Sequence, residues 1–137
     1  DAMRNFLILL ILSGCFVISS CKEKDSERFS FLTGVTWVTD SLIANGQDAS
    51  EPGELLADFK GEAKFNEDGT GSFGNYTGEW NFSSSETQLV IKSNSLAIPV
   101  IADIKELTSV SLKLTAVLPN QQDLMNPHRI RMTFKAK

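Results

Sequence analysis

Apolar and polar residues alternate along much of this chain, most regularly in its second half. Trp80 and Phe82 share a face, as do Leu89 and Ile91. Ile98, Val100, Ala102 and Ile104 form another apolar face, and Leu112, Leu114, Ala116 and Leu118 the next. Near the end, Ile130, Met132 and Phe134 alternate with Arg129, Arg131, Thr133 and Lys135. A period of two puts successive side chains on opposite faces of a β-strand. Turn signals recur about every ten residues, the all-β spacing. Asn66-Glu67-Asp68-Gly69 is a hairpin signal, with Gly69 free to take a positive φ. Thr77-Gly78, Ser83-Ser84-Ser85-Glu86, Asn94-Ser95 and Thr108-Ser109 separate the later segments. The pattern predicts strands near 34–43, 61–66, 71–77, 79–83, 88–92, 97–105, 111–118 and 129–137. One dry face, one wet face and short sequential connections predict an all-β, eight-stranded antiparallel up-and-down barrel. Residues 46–59 are long for a hairpin, and Pro52 to Phe59 suggests one or two helical turns, a lid or plug over one end. Residues 119–127 make a second long loop.

The first segment breaks this pattern. Asp1 and Ala2 precede Met3, which reads as the natural start, so residues 1–2 are taken as cloning remnants. Arg4-Asn5 is a short positive region, and the apolar run Phe6 to Leu12 resumes at Cys15 to Ile18. That is the layout of a secretory signal. A permanent span, the alternative, needs roughly 20 apolar residues, and only about 15 precede the charged Lys22-Glu23-Lys24-Asp25. Both cysteines lie here. Ile18-Ser19-Ser20-Cys21 resembles the lipobox of bacterial lipoproteins. The resemblance implies that Cys21 is acylated on sulfur, becomes the mature N-terminus and anchors the protein. Leu12-Ser13-Gly14-Cys15 fits the same pattern, but it would leave a seven-residue apolar run and a mature protein beginning Phe16-Val17-Ile18. Cys21 hands over directly to a charged stretch and is favoured. The expected organisation is a signal peptide over 1–20, the lipidated cysteine and a flexible tether over 21–30, and the barrel over 31–137.

Composition narrows the chemistry. The 137 residues fit one domain with a sizeable core. One histidine excludes a multi-histidine zinc site, and two cysteines exclude a disulfide-rich scaffold or an iron–sulfur cluster on four thiolates. A net charge of −4 and an isoelectric point near 5.0 argue against nucleic acid as a main partner.

Several short motifs span the chain in order. They are Leu32-Thr33-Gly34 leading to Trp37, Asn45-Gly46, Phe65-Asn66-Glu67-Asp68-Gly69-Thr70-Gly71, Gly78-Glu79-Trp80-Asn81-Phe82, Ile104-Lys105-Glu106-Leu107-Thr108 and Met132-Thr133-Phe134. With a lipobox in front, the set resembles the lipocalin-like lipoproteins of the Bacteroidetes. The family usually shows Gly-x-Trp, whereas Gly34-Val35-Thr36-Trp37 carries one more residue, which puts the register at the closed end in question. Lys22-Glu23-Lys24-Asp25 is similar to the charged tether that can direct such lipoproteins to the cell surface. The resemblance implies a monomeric barrel held at the outer membrane by its lipid, facing the periplasm or the cell surface.

Candidate sites are few. Asn66-x-Asp68-x-Thr70-Gly71 copies the start of a calcium loop, but its twelfth position is Thr77 where a bidentate Glu is required, so a turn is expected. His128 opens the last strand without a nucleophile or substrate partner that sequence can name. Asp40-Ser41-Leu42 resembles a three-residue O-glycosylation signal of Bacteroidetes secreted proteins, within a predicted strand. No phosphate loop, nucleophile elbow or paired-cysteine motif occurs, and no enzyme activity, cofactor or metal is expected. Trp37, Phe65, Phe73, Trp80, Phe82, Met132 and Phe134 could line a pocket for a small apolar ligand entering near 46–59. A barrel of eight strands is just wide enough for either, and nine Phe and two Trp in a short chain tilt the expectation towards a largely filled interior. A filled barrel would work instead as a scaffold or accessory subunit contacting another envelope protein.

Overall fold

Nine strands, every neighbouring pair antiparallel, follow one another round a single sheet in the computed structural model, which describes residues 26–137. A helix, α1 (Glu27–Thr33), precedes β1 (Trp37–Ala44) and the short β2 (Gln47–Asp48). A 3-10 turn at Ala57–Phe59 leads into β3 (Glu62–Phe65), β4 (Thr70–Phe73) and β5 (Tyr76–Ser83). Then come β6 (Gln88–Lys92), β7 (Val100–Leu107), β8 (Ser111–Leu118) and β9 (His128–Ala136). The order runs β2-β1-β3 through to β9, and β1 also pairs with β9. That pairing closes eight strands into an up-and-down barrel, with β2 a flap on β1. The segment expected to be a signal peptide, with Cys15 and Cys21, lies outside the described residues.

Alternation places Ala63, Phe65, Leu89, Ile91, Leu112 and Leu114 inside, all buried. Two strands lose the period of two, each at a bulge. In β1 the register against β9 shifts between Thr39 and Ser41, so Asp40 turns outward towards Lys135 at 3.3 Å and Leu42 faces the core. In β7 the shift lies between Ile104 and Glu106 and brings Leu107 back inside.

Two expected boundaries move. The β4–β5 turn falls at Gly74-Asn75 rather than Thr77-Gly78, and β5 runs straight through Gly78. A Cβ at Gly78 would collide with the Lys92 carbonyl, so that glycine serves a close approach of backbones. Gly74, at φ 61°, takes the left-handed turn. In β7 the strand starts after Pro99, which has no amide to offer a ladder, and Ile98 is left out of the apolar face.

Residues 27–30, expected within the flexible tether, instead open α1. Ser26 caps the helix, its Oγ accepting from the Phe29 amide at 3.0 Å, and Gly34 ends it by donating to the Ser30 carbonyl at 3.0 Å. Leu32 is fully buried, and Phe29 lies on Trp80 with ring centroids 5.8 Å apart. Ser26 Oγ also donates to Glu86 Oε2 at 2.5 Å, and Arg28 Nε donates to the Glu86 carbonyl at 3.0 Å. Thus α1 stoppers the end at which β1 begins.

The β1–β3 connection covers the other end. The Ala49 amide bonds the Leu42 carbonyl at 2.8 Å and the Leu56 amide bonds the Ala49 carbonyl at 3.0 Å, folding the segment back. Ala49, Leu56 and Phe59 are buried by it, and Phe59 meets Tyr76 at 4.8 Å. Burial, with Asp58 nearby, pushes the Tyr76 phenol above its ordinary pKa. The helical turns expected from Pro52 reduce to the 3-10 turn Ala57–Phe59.

Candidate functional site

The seven aromatic and methionine positions read from the sequence all project into the barrel. Trp37, Phe65, Phe73, Trp80, Met132 and Phe134 are buried, and Phe82 is half-buried. Four of them touch in a chain. Phe65 meets Phe73 at 5.2 Å and Trp80 at 5.7 Å edge-on, and Trp80 meets Phe82 at 5.4 Å edge-on. Such edge-to-face contacts are the preferred packing of aromatic rings. The remaining three flank the seam, with Met132 opposite Leu42 and Phe134 opposite Thr39 on β9, and Trp37 opposite Ala136 on β1. Both indoles spend their N–H on the fold. Trp37 Nε1 donates to the Leu32 carbonyl at 3.0 Å and Trp80 Nε1 to the Asn66 carbonyl at 2.9 Å.

The other candidates are absorbed locally. Asp68 Oδ1 accepts from the Thr70 hydroxyl at 2.6 Å and the Thr70 amide at 3.0 Å, closing the β3–β4 turn. Those two donors, hydroxyl first, hold its carboxyl below the ordinary range. His128 Nδ1 lies 3.1 Å from Asn45 Nδ2, tying the start of β9 to the β1–β2 turn. The Ser41 hydroxyl lies 2.6 Å from that of Thr133, engaged at the β1 bulge. Cys21 lies outside the described residues.

A large concavity lies on the outside of the barrel, an open groove of about 690 Å³ over β6 to β9 and the end of β1. Cross-strand register builds it in two rows. One holds Ile101 on β7, and Val117 opposite Arg129. In the other, Gln88, Asp103, Thr115, Arg131 and Ile43 stand side by side. Ile101 and Val117 are 55% and 57% exposed, unusual for aliphatic side chains on a sheet's wet face. Gln88 Nε2 donates to Asp103 Oδ1 at 3.0 Å. Arg129 and Arg131 make no ion pair among the described residues. The backbone beneath them is fixed, since the Arg129 amide donates to Asn45 Oδ1 at 3.0 Å and its carbonyl accepts from the Asn45 amide at 2.8 Å.

Pattern reading passed over this groove because it looked for the dry face. The signal was present in two runs that break alternation, Val100-Ile101-Ala102 and Ala116-Val117-Leu118. An aliphatic residue between two inward ones must point outward once the strand is antiparallel and one-sided. Compared with models of known families the chain matches none, and no curated protein matches it.

Proposed function

We propose that this chain is a non-enzymatic, lipid-anchored envelope protein of the lipocalin-like kind that binds through its outer surface. One observation carries the choice between inside and outside. Four of the seven residues that would line an internal pocket pack ring on ring, six of the seven are buried, and both barrel ends are covered, by α1 and by the β1–β3 connection. A packed interior makes the barrel a rigid support. The wall that then presents binding chemistry is the groove with Ile101, Val117, Arg129 and Arg131.

Anchoring through Cys21 agrees with this geometry. Cys21 is five residues before Ser26, so an extended chain spans at most about 17 Å. The α1 end would therefore sit close to the membrane. Gly46, which lines the groove, belongs to the opposite end of the barrel.

Native mass spectrometry of the mature domain after gentle extraction tests the reading. A single apo mass is expected. A stoichiometric co-purifying lipid or other small apolar molecule would overturn it in favour of an internal ligand. Cys21→Ser should abolish metabolic palmitate labelling, whereas label that persists would move the anchor to Cys15.

A further inference from the structure

We infer that the β6–β9 groove docks an acidic, aliphatic segment of a partner protein, an inference that rests on the outer-surface reading above. Its charge points that way. The chain carries a net charge of −4, yet the groove presents two guanidiniums against one carboxylate, which accepts a hydrogen bond from Gln88. An acidic partner is repelled by most of this protein and drawn to this wall, which fixes where and how it lands.

The spacing of the two arginines defines the partner further. Arg129 and Arg131 are two residues apart on β9, both exposed, so their attachment points are separated by about 6.8 Å. Carboxylates two apart on an extended segment, or four apart on a helix, match that interval. Guanidinium binds carboxylate through paired N–H donors and loses less hydration than an ammonium would. Beside the arginines, Val117 stands directly opposite Arg129 and Ile43 directly opposite Arg131. An aliphatic side chain next to each acid on the partner would cover these residues and dry the ion pairs, strengthening them. The fit is thus an alternation of acid and aliphatic residues, complementary to the wall's own.

The test uses the full chain in its native cells, with a benzoylphenylalanine photocrosslinker in place of Val117 and, separately, in place of Lys64 on the opposite wall. Irradiation should give a discrete adduct from position 117, and its crosslinked peptide should carry at least two Asp or Glu beside aliphatic residues. R129E/R131E should cut that adduct about tenfold or more while leaving the circular-dichroism melt unchanged. An adduct that survives the charge reversal, a basic or nucleic-acid target, or a second copy of this chain would overturn the inference. So would no adduct at position 117. If position 64 labels instead, the outer-surface reading stands and only the groove falls. If neither labels and the mature domain carries a bound small molecule, both fall.

Discussion

The indole of Trp37 donates to the carbonyl of Leu32 at 3.0 Å, and both residues are wholly buried. This bond fastens the last turn of α1 to the first residue of β1, so the stopper and the barrel wall share one anchoring point. Trp37→Phe keeps an aromatic side chain but loses the pyrrole half of the indole, leaving a small void and the Leu32 carbonyl unpaired away from water. The expected cost is about 1–3 kcal/mol, read by chemical denaturation. Trp80→Phe removes a similar bond to Asn66, but in a partly exposed turn where water can replace it, and should cost less. Equal losses would show that the buried bond is not what holds α1.

Gly74 and Gly46 both have positive φ, 61° and 80°, but their surroundings differ. A Cβ at Gly46 meets nothing within 4 Å, so Gly46→Ala should cost only the left-handed strain, about 1–2 kcal/mol. At Gly74 the same Cβ runs into the backbone of Asp58 and Phe59, which belongs to the connection covering that end. Gly74→Ala should lose about 1–3 kcal/mol more through backbone displacement, measured as a difference in unfolding free energy. Matching values for the two variants would mean that the connection yields freely.

Three exposed carboxylates contribute acid sensitivity: Asp48, lowered by the Ser50 hydroxyl and then its amide, together with Asp68 and Glu106. The Ser111 hydroxyl, then Lys113, holds Glu106 below the ordinary range, as the Thr70 hydroxyl does Asp68. A depressed pKa in the folded state contributes stability that is present above the unfolded value, near pH 4, and is lost as pH falls through the folded one. Thermal melts from pH 7 down to about pH 2 should therefore show a fall in Tm beginning near pH 4. Asp68→Asn/Glu106→Gln should start lower at pH 7 and fall less over that window. Parallel curves for variant and parent would place the acid sensitivity elsewhere.

How much of this was legible in the chain depended on whether local pattern and final geometry agreed. β6 and β8 run from Gln88 to Lys92 and from Ser111 to Leu118, where alternation is regular and turns flank both ends. β1 was harder, because the bulge at Asp40 swaps which parity faces the core halfway along. Gly78 looked like a turn because sequence cannot separate a glycine needed for positive φ from one needed for close backbone approach. α1 hid in a polar stretch, although Ser26 followed by Glu27, with Phe29 and Leu32 three apart, is a capped one-sided turn in miniature. Of the seven inward residues, Trp80, Phe82, Met132 and Phe134 follow from the period of two, and Trp37, Phe65 and Phe73 from their bulk and apolar character. Whether they leave room for a ligand turns on ring contacts and on the segments covering the two ends, which lie far apart in sequence. The groove required register, since Ile43, Arg131, Thr115 and Asp103 become neighbours only when β1, β9, β8 and β7 are laid side by side.

The seam between β1 and β9 sets a timetable for folding. The last residue's amide bonds the Thr36 carbonyl at 2.9 Å, and seven residue pairs join the first long strand to the final one. As the chain is made, β1 has no partner on that side until β9 has emerged. Closure then joins the most distant parts of the domain, the kind of contact that slows folding. Until that moment the chain presents an open strand edge with Trp37 and Leu42 behind it. Such edges invite pairing with other chains. Any truncation that removes β9 makes this transient state permanent, so the C-terminal nine residues of sheet guard the whole molecule against aggregation.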